Sequence, residues 1–144
     1  MSSGIMLTPP AKEPALGETN DDGALQAWEI FSQLKLRAEL VVLSACDTAR
    51  GEVVKGEGVV GLTRALEYAG ARSIVATQWS VASGQSTTQL MEEFHKGLRN
   101  GKAKDEALKE AMAAVRKKYP HPFYWAPFIL LGDPDNPNLG KRGL

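Results

Sequence analysis

The chain has 144 residues, 43% of them apolar, with a single cysteine. This is one domain's worth of chain with enough apolar residues for a core, and a lone cysteine excludes an internal disulfide and a zinc box. The 17 basic side chains balance 17 acidic ones, with no basic stripe, so neither nucleic acid nor an anionic membrane is favoured as a partner.

No apolar run approaches the ~20 residues of a membrane span. The start, Met1-Ser2-Ser3-Gly4, lacks the basic-then-apolar order of a signal peptide. A soluble protein of the reducing cytoplasm is expected.

Residues 4–8 have the composition of a short strand. Pro9 to Gly23 carries three prolines and the turn-forming run Asn20-Asp21-Asp22-Gly23, and reads as a surface loop. Residues 25–34 follow as an amphipathic helix, with Trp28, Phe31 and Leu34 expected on its inward face.

Residues 40–45 form the next strand, beginning with the unbroken apolar run Leu40-Val41-Val42-Leu43. Ser44 and Ala45 are small, Cys46 follows, and Asp47 and Thr48 are turn formers. A strand ending in this way aims a thiol out of the carboxyl edge of a sheet, where ligands bind in open α/β folds. Cys46 therefore reads either as a nucleophile or as a small buried hydrophobe.

Ala49 to Gly58 is a glycine-rich loop, and a helix is expected over 58–69, with Val59, Leu62, Leu66 and Ala69 on one face and Gly70 as its C-terminal cap. Residues 73–77 form a buried strand, which Gln78, Trp79 and Ser80 continue past its end. Two further helices are expected. The first, 84–99, turns Leu90, Met91, Phe94 and Leu98 inward, and the second, 103–118, does the same with Ala107, Leu108, Ala111, Met112 and Val115. Tyr119-Pro120-His121-Pro122 stops the last helix, residues 128–131 form the final strand, and a loose tail is expected from Asn136.

This alternation predicts an α/β fold, a mainly parallel sheet flanked by helices. Three main strands are few for such a sheet, so it reads as incomplete on its N-terminal side, with an exposed edge. The letters Gly56-x-Gly58-x-x-Gly61 are present, but a long loop separates them from the strand, and no Lys-Ser/Thr follows Gly56 as a P-loop requires. No cofactor and no metal site are expected.

Four separated motifs carry a resemblance. They are residues 40–48 (Leu-Val-Val-Leu-Ser-Ala-Cys-Asp-Thr), 56–65 (Gly-Glu-Gly-Val-Val-Gly-Leu-Thr-Arg-Ala), 68–81 (Tyr-Ala-Gly-Ala-Arg-Ser-Ile-Val-Ala-Thr-Gln-Trp-Ser-Val) and 122–133 (Pro-Phe-Tyr-Trp-Ala-Pro-Phe-Ile-Leu-Leu-Gly-Asp). In this order they resemble the CHAT domain over roughly residues 4–135. CHAT domains are caspase-like, are related to separase and gingipain cysteine peptidases, and often stand behind tetratricopeptide repeats in bacteria.

The resemblance implies a caspase-like three-layer sandwich and a Cys–His dyad acting on a protein or peptide substrate. Cys46 matches the family nucleophile. The family's base lies in a His-Gly motif on an earlier strand, and neither His95 nor His121 stands in such a motif. The chain thus reads as the carboxyl-terminal part of a CHAT domain, over residues 1–144, with little activity alone. Its remaining partners would be a tetratricopeptide-repeat region or an upstream segment supplying the base. A homodimer covering the sheet edge is a further expectation.

Asp47 has two readings, an S1 carboxylate for a basic P1 side chain and a turn residue accepting backbone N–H groups. Trp79 is either a wall of the substrate groove or a core aromatic. Ser80 is a candidate polar contact to the substrate backbone. The rival to the peptidase reading is a non-catalytic module that binds a partner through the sheet edge.

Overall fold

A computed structural model of the protein describes residues 4–6, 24–43, 57–79, 81 and 84–136. The chain order is β1 (Gly4–Met6), β2 (Ala24–Gln26), α1 (Ala27–Gln33), β3 (Val41–Leu43), α2 (Glu57–Ala69), β4 (Ser73–Thr77), α3 (Gln85–Arg99), α4 (Lys104–Lys118) and β5 (Phe128–Gly132). β1 and β2 form a small antiparallel ribbon, and the other three strands form a sheet in the order β3-β4-β5.

β4 is the centre of this sheet and is buried at all five positions. Its residues alternate between two cores, as a strand's side chains must. Ile74 and Ala76 join Ile30, Leu62 and Leu66 on the side of α1 and α2. Val75 joins Leu90, Phe94, Leu108 and Val115 on the side of α3 and α4. The architecture is α/β, with helices on both faces of a small sheet.

The mainly parallel sheet expected from the alternation is corrected here. β3 runs parallel to β4, with Val42 opposite Val75 and Leu43 opposite Ala76. β5 runs antiparallel to β4, with Phe128 opposite Thr77 and Gly132 opposite Ser73. The cause is the pair of helices between β4 and β5. One helix returns a chain to the amino edge of the sheet, whereas an antiparallel pair returns it to the carboxyl edge, so the next strand must run backwards. Gly101, with φ +82°, makes the short turn between α3 and α4.

The first helix is corrected as well. Residues 24–26 are strand, and the helix starts at Ala27. Its start is a capping box, in which Gln26 N–H donates to Glu29 Oε2 at 2.8 Å. The buried stripe is Ala27, Ile30 and Leu34, and Trp28 and Phe31 are 57% and 52% exposed. Positions 27, 30 and 34 follow the 3.6-residue period, Trp28 lies off it, and Phe31 stands at the margin of the stripe.

Asn136, expected to open a loose tail, is buried, and its Nδ2 donates to Leu98 O and Lys102 O.

Candidate functional site

The site is framed by the carboxyl ends of β3 and β4. These strands are parallel neighbours, and both end toward the same edge of the sheet. β3 stops at Leu43, three residues before Cys46 in the sequence. β4 stops at Thr77, two residues before Trp79. β5 begins at this edge too, where Gln78 N–H donates to Pro127 O at 2.9 Å. A cleft at such an edge is where an open α/β sheet presents chemistry, because the turns there leave backbone N–H groups and side chains unpaired by the sheet.

Cys46, Asp47 and Ser80 lie outside the described residues, as does the glycine-rich loop over 49–56. Trp79 is described and is 41% exposed, which is high for an aromatic of the core. Two residues before it, Thr77 is buried, and among the described residues its Oγ1 has no hydrogen-bond partner.

The two histidines are accounted for by local contacts. His95 is exposed on α3, and its Nδ1 lies 2.8 Å from Met91 O. A carbonyl only accepts, so Nδ1 carries the proton there. The ring lines a shallow cavity of about 490 Å³ together with Thr87, Thr88, Met91, Glu92 and Arg99, all from one side of α3. His121 caps the 3-10 turn Pro122–Tyr124, with its Nδ1 accepting from Phe123 N–H at 3.2 Å. That contact occupies the nitrogen lone pair a general base would need.

Of the aromatics just before β5, Trp125 packs against the core on the α3 and α4 side and Phe123 is exposed. Arg116 lies over the Trp125 ring at 5.5 Å from its centroid. At the opposite end of β4, the buried Lys104 donates to Ser73 Oγ and Asp133 O. No local pattern in the chain signals this buried lysine or the orphaned threonine. A lysine opening a helix and a threonine ending a strand are both ordinary, and their burial is created by β5 and α3.

Among the described residues, no three His, Cys, Asp or Glu side chains come together in a way that would hold a metal. No helix among them is long and apolar enough to cross a membrane.

A family model described as the CHAT domain matches residues 1–133. This chain belongs to the CHAT domain family. It is similar to tetratricopeptide repeat protein 28 of Mus musculus, with 39% identity over 101 residues, 69% of this chain and 4% of that protein. The Homo sapiens protein of the same name is 37% identical over 101 residues, again 69% of this chain and 4% of its own length. The chain thus spans about 4% of the length of these curated relatives. No solved structure matches it.

Proposed function

We propose that this chain is the nucleophile-bearing part of a caspase-like cysteine endopeptidase and is nearly inactive by itself. The observation that carries the reading is the membership of residues 1–133 in the CHAT family, taken with a β3 that leads within three residues to the chain's sole cysteine. In this reading the three strands and their flanking helices are part of a larger caspase-like three-layer sandwich. Further strands would pair onto β3.

Cys46 attacks the scissile carbonyl as thiolate. Its backbone N–H is one donor to the oxyanion that forms. A base must take the thiol proton and return it to the leaving amine; His121 Nδ1 already accepts from Phe123 N–H, and His95, exposed on α3, stands outside the family's His-Gly motif. The base is therefore brought by a His-Gly strand from an upstream segment or a second chain. Asp47 binds a basic P1 side chain, Trp79 walls the groove, and Ser80 bonds the substrate backbone. The substrate is a protein or peptide of the reducing cytoplasm. Because the curated relatives are tetratricopeptide repeat proteins, a repeat region joined to this domain is its natural regulator.

The test is the alkylation rate of Cys46 between about pH 5 and pH 9, against the unfolded chain and Cys46→Ala. A rate well above that of the unfolded chain at about pH 6 supports an activated thiolate. A rate at or below it overturns the nucleophile assignment.

A second reading has its own observation. β3 has apolar residues on both faces, packed into both cores, as an interior strand does. Among the described residues it nevertheless has a partner on one side alone. A non-catalytic module could add a partner's strand there, or a second copy of the chain. In that case Cys46→Ala would leave partner binding intact.

A further inference from the structure

The last turn of α4 carries Arg116, Lys117 and Lys118, all exposed. Cations at a helix C-terminus suit its dipole, and that alone would leave them as solvated charges. Here two of them are held by rings. The guanidinium carbon of Arg116 lies 5.5 Å from the centroid of the Trp125 ring, and Lys118 Nζ lies 5.3 Å from that of Tyr119. The rings are fixed in turn. Trp125 Nε1–H donates to Pro120 O, Tyr119 packs on Tyr124, and Phe123 meets Tyr124 edge to face.

Nothing of opposite charge answers this cluster. Residues 111–132 contain no Asp or Glu, and among the described residues no carboxylate pairs with Arg116, Lys117 or Lys118. A guanidinium stacked on a ring keeps its N–H groups at its rim, where they can fork onto a carboxylate. Its side chain is already ordered, so binding costs it little rotamer freedom. Phe123 is 41% exposed beside the cluster, and an aromatic ring next to an arginine is the usual make-up of an energetic centre in an interface. The turn also adjoins the carboxyl end of β4, since Pro127 O accepts from Gln78 N–H, one residue before the exposed Trp79.

We propose that the end of α4 and the turn after it form a docking surface for an acidic segment of a partner protein, with Arg116 and Lys118 taking its carboxylates and Phe123 an apolar side chain. The proposal is independent of the chemistry of Cys46. It applies alike to a substrate of a peptidase and to the partner of a non-catalytic module. A protein segment is favoured over nucleic acid because two ring-held cations, on a chain of zero net charge, neutralise few phosphates.

The test is fluorescence anisotropy of a labelled peptide of glutamates flanking one phenylalanine, titrated with the full chain, beside the same peptide with glutamine for glutamate. The acidic peptide is expected to bind, more weakly as salt rises, and its glutamine counterpart is not. The double variant Arg116→Gln with Lys118→Gln is expected to weaken binding by roughly tenfold, as loss of two charge pairs does. Lys35→Gln with Arg64→Gln removes the same charge from exposed positions on the other face of the sheet and is expected to leave binding unchanged. Phe123→Ala alters no charge and is expected to weaken binding by roughly threefold through lost apolar contact. Should the double variant melt lower than the parent, Lys118→Gln alone, which leaves the Arg116–Trp125 stack in place, makes the same comparison. Equal losses in the two double variants, or no binding of the acidic peptide at millimolar concentration, overturn the proposal. So does equal or tighter binding of a single-stranded oligonucleotide of matched charge, which would assign the surface to nucleic acid. Self-association of the parent that the Arg116 and Lys118 changes abolish would assign it to a second copy of the chain, and overturns the proposal too.

Discussion

Lys104 Nζ donates to Ser73 Oγ at 2.8 Å, with Lys104 only 2% exposed. The pair joins the first turn of α4 to the first residue of β4, and Lys104 N–H also donates to Pro134 O at 2.7 Å just beyond β5. A cation at the positive end of a helix is disfavoured by the dipole, so the ammonium depends on the two oxygens that accept from it. Ser73→Ala removes one of them and is expected to cost about 1–3 kcal/mol. Lys104→Met should cost less, because the desolvation penalty of the charge leaves with it. Urea unfolding at unchanged slope would measure both, and a larger cost for Lys104→Met would mean that the lysine stem matters more than its bonds.

Gly97 sets how closely α3 and α4 approach. A Cβ added there would lie 2.8 Å from Ala107 Cβ and 3.3 Å from Ala107 Cα. In an open helix, alanine for glycine gains roughly 1 kcal/mol from propensity. Here overpacking should exceed that gain and leave Gly97→Ala less stable by about 1–2 kcal/mol. The double variant Gly97→Ala with Ala107→Gly tests the cause. If the clash is responsible, the second change recovers stability despite adding a helix glycine.

The parts of the fold that the sequence made legible share a property: each is long or fully buried. β4 has the expected bounds because five buried residues leave no other reading, and α2, α3 and α4 start within one residue of expectation because three or four turns fix the period. α1 has seven residues, too few for the period to outweigh the pull of two large aromatics toward an assumed core. The strand Ala24–Gln26 has three, too few to show alternation. The direction of β5 was readable in principle, since two helices in succession reverse the chain. At the site, Trp79 stands at the end of β4 as expected, whereas the isolation of the Thr77 hydroxyl is a product of tertiary packing that no local pattern carries.

Asp133 should make the fold sensitive to acid. The N–H of Asp135 donates to its carboxylate, Arg72 Nη2 donates to it at 2.7 Å, and together they hold its pKa below the ordinary 3.8 despite partial desolvation. A depressed folded-state value means that the unfolded chain binds the proton more readily. The contribution is therefore complete above the unfolded value and is lost as pH falls through the folded one. Asp133→Asn should show a flatter decline in stability below about pH 4 than the parent does. Since the Arg72 pair is exposed to solvent, added salt should narrow the difference. Equal acid profiles for the two proteins would count against the carboxylate's role.

The outward faces of α1 and α2 carry the remaining prediction. Phe31 and Tyr68 stack with ring centroids 3.9 Å apart and planes 17° from parallel, although both are exposed. The stack ties α1 to α2 outside the core that Ile30, Leu62 and Leu66 form beneath it. Burial contributes little for rings so open to water, so the specific ring contact is the larger share of what they add. A double-mutant cycle with Phe31→Ala and Tyr68→Ala should give a coupling of about 0.5–1.5 kcal/mol. Trp28→Ala supplies the contrast. Its indole N–H donates to Gln26 Oε1 at 2.9 Å on the surface, and its coupling to Tyr68→Ala should be near zero. A Phe31–Tyr68 coupling as small as that would show that the stack adds nothing beyond the core beneath it.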